Sequence, residues 1–319
     1  MRHRTPARFL LAQVFWRTGW GRWITFPLRG FRLRLHPANL SWQLWLDPAN
    51  RDADLDLIRS LLKPGGTMID VGANIGFTAL EAARAVGADG CVHAIEPHPS
   101  IHRFLTENLQ LNGFAGRVTT HETAVTDAAP PDGMLSFSDD RRDDMNSLLG
   151  MDIGPEVPNG MVTNTIIAGG RSGGGEGVAS SHSASSPESQ ASSYRQPASS
   201  IQAPASRIRV RATTLDELFH DLPRCDLLKI DVEGAELAVL RGAVGLLKRT
   251  RQVLIEAGDP NSLRFGVRSA DLLAHLEASG FTVTHADPDR SPVSLAACRT
   301  HVGNWLALKK SADDADWTD

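Results

Sequence analysis

Three blocks of this chain hold residue types that can grip a nucleotide-like ligand and move a proton. The first is Ile69-Asp70-Val71-Gly72-Ala73-Asn74-Ile75-Gly76-Phe77. An apolar run enters a glycine turn there, and glycine lets a backbone turn tightly and approach a ligand closely. The dinucleotide fingerprint G-x-G-x-x-G is not met. Asn74 stands at its second glycine, so the residue that packs backbone against a pyrophosphate is missing. A ligand without a diphosphate is expected. The second block is Glu96-Pro97, 24 residues after Gly72. An acid placed there at a strand end can accept hydrogen bonds from both hydroxyls of a ribose. The third is Leu228-Lys229-Ile230-Asp231-Val232-Glu233-Gly234-Ala235-Glu236. Asp231 and Glu233 are expected to point into a crevice at the strand end, and Glu236 to lie on the helix that follows. Glu256 closes Leu254-Ile255-Glu256 in the same way. Asp70, Glu96, Asp231 and Glu256 then share one rim, which is more acid than helix capping requires.

These residues need elements to hold them. Periodicity predicts helices over 52–62, 77–86 and 100–111, and strands over 67–71, 91–95 and 118–122. Their alternation argues for a parallel sheet. Further on, strands are predicted over 226–230, 253–255, 281–284 and 304–308. A helix over 235–247 would align Leu237, Leu240, Val244 and Leu247, and another covers 270–279. Neither half closes a doubly wound sheet; together they supply about seven strands. Between them, periodicity fails over 150–206, and serine, glycine and alanine dominate from 168 onward. That composition buries too little apolar surface to offset its ordering entropy, so 150–206 is expected to be a disordered insertion within one domain.

The lead, residues 1–49, is different in kind. Arg2, Arg4, Arg8, Arg17, Arg22, Arg29, Arg32 and Arg34 precede the first acid, Asp47, although the whole chain carries −4. It also holds Trp16, Trp20, Trp23, Trp42 and Trp45. A basic amphipathic helix over 8–18 and a strand over 31–35, paired with 41–46 as a hairpin, are expected. The remaining organisation reads as a catalytic domain over 50–310 and a tail over 311–319. A hydrophobic fraction of 41% and a charged fraction of 22% exclude a collagen-like, fully disordered or membrane-embedded chain. Cys91, Cys225 and Cys298 are too few and too scattered for a disulfide framework or a metal knuckle, which favours a reducing, cytoplasmic setting. The apolar stretch near residue 9 is too short to span a bilayer.

The three blocks, with Asn146-Ser147-Leu148 and Thr214-Leu215-Asp216 between them, resemble the FkbM family of S-adenosylmethionine-dependent methyltransferases over about residues 60–257. The resemblance implies a class I methyltransferase (Rossmann-like) α/β fold. Its sheet would have seven mostly parallel strands, the last antiparallel, in a three-layer αβα sandwich. It implies S-adenosyl-L-methionine as cofactor, with its methionine part held by the loop Asp70, Gly72, Asn74 and Gly76 and its ribose by Glu96. Mostly it implies O-methylation of sugars or secondary metabolites. Methyl transfer from a sulfonium needs alignment above all, and a hydroxyl nucleophile gains from a base. Asp231, which also faces the sulfonium, is the first candidate and Glu233 the second. No metal ligand set is assigned, although Asp231 with Glu256 could suit magnesium. The expected partner is a small-molecule or glycan acceptor and not nucleic acid, because the catalytic part is acidic. Two other readings stay open: a nucleic-acid methyltransferase using the arginine-rich lead, and a non-catalytic module with peripheral membrane contact through that lead.

Overall fold

Successive side chains of a strand face opposite sides, and a parallel sheet covered on both faces reads as short apolar runs. The computed structural model describes residues 11, 14–15, 20–49, 51–138 and 207–310. The expected insertion over 150–206, the tail over 311–319 and most of the helix over 8–18 lie outside these residues. The strands are β1 (Thr25–Leu28), β2 (Phe31–Arg34), β3 (Thr67–Val71), β4 (Cys91–Ile95), β5 (Val118–His121) and β6 (Ala124–Val125). They continue with β7 (Met134–Ser138), β8 (Arg207–Thr213), β9 (Leu227–Ile230), β10 (Gln252–Ala257), β11 (Phe281–His285) and β12 (Gly303–Lys309). Seven form the central sheet in the order β11-β12-β10-β9-β3-β4-β5. Strands β10, β9, β3, β4 and β5 run parallel, and β12 runs antiparallel to both neighbours. This is the sheet expected from the sequence.

Its two faces explain the three layers. Met68, Val92, Ala94, Leu227 and Leu254 pack into one core with the helices Asp52–Leu61, Phe77–Val86 and Pro99–Leu111. Ile69, Val71, Leu228, Ile230 and Ile255 pack into the other with Glu236–Arg241, Val244–Lys248 and Ser269–Ala278. Each such valine, leucine, isoleucine or methionine, fully buried, contributes roughly 1.5–3 kcal/mol. Asp52–Leu61 buries Leu55 and Ile58, one turn apart, with Asp52 and Asp54 in its first turn and Arg59 in its last, the arrangement the helix dipole favours.

Two elements differ from expectation. Residues 41–46 do not pair with the strand at 31–35; Asn39–Leu46 is a helix that buries Ser41 and Leu44, three residues apart. The partner of β2 is β1, joined through Arg29 and Gly30, whose φ angles of 49° and 88° are both positive, as a tight hairpin turn requires. The other edge of β2 is closed by asparagines. The Arg34 and Arg32 N–H groups donate to Asn108 Oδ1 at 3.0 Å and Asn112 Oδ1 at 2.8 Å. Phe26, Leu33 and Leu44 thereby join the core of the sheet. Nor is 235–247 one helix. It breaks at Gly242, where a Cβ would lie 2.1 Å from the Thr126 carbonyl oxygen, and Val244 beyond the break is 54% exposed.

A second, three-stranded sheet was not anticipated. Its order is β6-β8-β7, and β7 and β8 pair antiparallel from Met134↔Arg211 to Ser138↔Arg207. Among the described residues no helix is long and apolar enough to cross a membrane.

Candidate functional site

From β3 the chain runs outward to β4 and β5, then returns to β9 and β10 on the other side. A crevice therefore opens above the carboxyl ends of β3 and β9, where the strand order reverses. Gly72, with φ +80°, leaves β3 so close to β9 that a Cβ would stand 1.9 Å from the Asp231 carbonyl oxygen. The Gly72 and Ala73 N–H groups both donate to the Ile95 carbonyl, at 3.0 and 2.9 Å. The loop thus lies across three strand ends, and Gly72, Ala73 and Asn74 line the crevice.

Glu96 follows β4 and is 7% exposed. Its Oε2 accepts the Asn74 N–H at 3.1 Å and its Oε1 the His98 N–H at 2.9 Å. A carboxylate offers about four acceptor positions. His98 is buried and caps the helix Pro99–Leu111 by accepting the Ser100 N–H at Nδ1.

Beyond β9, Asp231 donates its N–H to the Val71 carbonyl at 3.0 Å, and its side chain, 32% exposed, meets Lys229. Glu233 takes φ +55° and its Oε2 accepts from Asn261 Nδ2 at 3.1 Å. Glu236, expected on the helix, is its first residue but is buried. It accepts the Gly234 N–H at 2.8 Å, so it braces the turn that aims Asp231 and Glu233. Burial pushes the Glu236 carboxyl up to about 7 against those backbone hydrogen bonds, and Asp231 adds to the rise.

Glu256, in β10, lies opposite Asn304 of β12. One carboxylate oxygen each from Asp231, Glu233 and Glu256 lie within 4.8 Å of one another, the only such group of three or more acids, histidines or cysteines among the described residues. That spacing and chemistry can also hold a hard divalent cation, and Glu233 is the third ligand that sequence reading did not supply. Burial, then the Asp231 and Glu233 charges, push Glu256 up to about 7. Leu40 and Gln43 of Asn39–Leu46, Arg51, and Leu57 of Asp52–Leu61 line the same crevice. The lead therefore forms a wall of the crevice.

Of the residues singled out from sequence, Gly72, Asn74, Glu96, Asp231, Glu233 and Glu256 line this one crevice. Asp70 and Gly76 lie behind it. Asp70 is fully buried and accepts from Thr78 Oγ1 at 2.5 Å. Gly76 opens the helix Phe77–Val86, and a Cβ on it would lie 2.7 Å from Leu105 Cδ1. Sequence reading passed over Lys229 and the wall residues Gln43 and Arg51. Lys229 was legible in principle, because two residues before Asp231 in a strand means the same face. Thr214-Leu215-Asp216 turns out to be a helix start, with Thr214 capping Leu215–Leu218.

The family model described as "Methyltransferase FkbM domain" matches residues 70–283. Methyltransferase sdnD of Sordaria araneosa is 27% identical over 232 residues, covering 70% of this chain and 77% of that protein. Among solved structures, precorrin-6y C5,15-methyltransferase of Geobacter metallireducens GS-15 aligns with a TM-score of 0.38 and 15% identity, over 82% of this chain and 87% of that one. The O-methyltransferase TomG of Streptomyces achromogenes aligns with 0.41 and 12%, over 82% and 80%.

Proposed function

This chain belongs to the FkbM methyltransferase family, and on that premise we propose that it moves a methyl group from S-adenosyl-L-methionine to a hydroxyl of a sugar, glycan or secondary metabolite. The observation that carries the reading is the position of Asp231. It stands at the switch point and lines one crevice together with the glycine loop and with Gln43, Arg51 and Leu57.

The residues suit the cofactor. At Gly72 a Cβ would collide with the Asp231 carbonyl oxygen, so glycine is what lets the loop and Asp231 meet at the same crevice. Glu96 supplies a carboxylate for ribose hydroxyls, and the loop lacks the second glycine a pyrophosphate would use. When bound, the cofactor supplies an electrophilic methyl on a sulfonium. Gly72, Asn74 and Glu96 hold and orient it. Asp231 would accept the hydrogen bond of the acceptor hydroxyl and take its proton as the methyl passes from sulfur to that oxygen and the thioether leaves, with Glu233 beside it. Gln43 and Asn304 offer amides to further hydroxyls, and Leu40 and Leu57 offer apolar surface to a ring's C–H face.

The test has two stages. Calorimetry with S-adenosylmethionine and separately with NAD should show binding of the first alone. Release of S-adenosylhomocysteine should then be followed over a panel of glycosides, polyols, phenols, amines and carboxylates. Turnover confined to amines, or tighter binding of NAD, would sink the proposal.

A further inference from the structure

Resting on that transfer reaction, we propose that Lys229 is a positioning residue. It fixes the Asp231 carboxylate toward the acceptor and ties it, through Asp70, to the helix that follows the glycine loop. Lys229 lies in β9, in register with Asp70 of β3 and Leu254 of β10. Its side chain is 11% exposed, and Nζ is 3.3 Å from Asp70 Oδ1 and 3.3 Å from Asp231 Oδ2. Asp70 in turn receives the Thr78 hydroxyl, and Thr78 is the second residue of Phe77–Val86. The run Thr78–Asp70–Lys229–Asp231 therefore joins the cofactor loop's helix to the acceptor side across two strands.

Fold stability is a weak reason for such a run. Desolvating buried ions offsets most of their attraction, and well-packed apolar residues often do as well. Geometry is the stronger reason. With Oδ2 held by Lys229, Asp231 presents its other oxygen in one direction, and a shift of about 1 Å in a reacting group can cost roughly 100-fold in rate. The compact ammonium matters as well. It can donate to two carboxylates at once, whereas the wide, planar guanidinium of arginine fits paired oxygens of one group better.

Lys229→Met and Lys229→Arg are compared with the wild type and with Asp231→Asn. In the crystal structure of Lys229→Met, the Asp231 carboxylate should move by more than about 1 Å while the Asp70–Thr78 contact and the sheet register persist. On an acceptor that the wild type methylates, kcat should fall about 10–100-fold, with cofactor affinity and acceptor KM within about threefold. The double variant Lys229→Met/Asp231→Asn should turn over no more slowly than Asp231→Asn, because both changes act through one carboxylate. An Asp231 carboxylate that stays in place in Lys229→Met overturns the inference, and so do losses that multiply. If Lys229→Met does not fold, Lys229→Arg carries the same structural and kinetic comparison. A wild type that binds no S-adenosylmethionine defeats the cofactor reading. The position of Asp231 in the variant still decides the role of Lys229.

Discussion

Glu96 holds Asn74: the carboxylate that ends β4 accepts the backbone N–H of the loop leaving β3, at 3.1 Å. Asn74 takes φ +49°, a left-handed conformation that asparagine tolerates better than most residues. The ribose candidate is therefore also the clasp of the loop beside it. Glu96→Ala should weaken S-adenosylmethionine binding by roughly 1.5–3 kcal/mol, the loss of charge-assisted hydrogen bonds. Calorimetry checks it. Wild-type affinity in the variant would show that Glu96 serves the loop and not the ligand.

Asp231→Asn keeps the shape of the side chain and removes its basicity. Turnover should drop about 10²–10⁴-fold, with cofactor affinity changed only a few fold. A variant that loses melting temperature but retains turnover would make Asp231 a structural acid and leave Glu233 as the base.

Glu236 gives a pH signature. Its folded pKa of about 7 lies above the ordinary 4.5, so the folded chain holds this proton more tightly than the unfolded one. The contribution is fully present below pH 4.5 and is lost as pH rises to 7. Glu236→Gln cannot titrate. The melting temperature of the wild type, measured relative to that of this variant, should fall as pH rises from 4.5 past 7. A constant difference across that window would refute the assignment.

Asp216, part of a block that sequence reading tied to the family, has a structural task. Its carboxylate accepts the Gly245 and Leu246 N–H groups at 2.8 and 2.7 Å, capping Val244–Lys248, a helix whose own cap residue is Ala243. Asp216→Ala should cost about 1–2 kcal/mol of stability and leave cofactor affinity untouched. Chemical denaturation and calorimetry on one preparation decide it, and an affinity loss without destabilisation would overturn the structural assignment of Asp216.

The central sheet was legible because its strands are buried on both faces, so runs such as Thr67–Val71 and Leu227–Ile230 stand out as apolar. The rim acids were legible from their place just after those runs. What escaped depends on contacts distant in sequence. The break at Gly242 is imposed by the approach of Thr126. The pairing of β7 with β8 joins residues on either side of the serine- and glycine-rich stretch. The tryptophan-rich 41–46 alternates like a strand, and only the burial of Ser41 and Leu44 on one side reveals its helical period. Lys229 was hidden inside a motif read for its acids.

The antiparallel pairing of Ser138 with Arg207 makes this point of the chain a splice site. The backbone departs after one residue and returns at its direct partner across the ladder, so the register of β7 and β8 is independent of how many residues lie between. Two-residue hairpin connections bridge such partners in other proteins. The ladder therefore joins the two halves of the chain at Ser138 and Arg207, away from Asp231, Glu96 and the glycine loop in sequence.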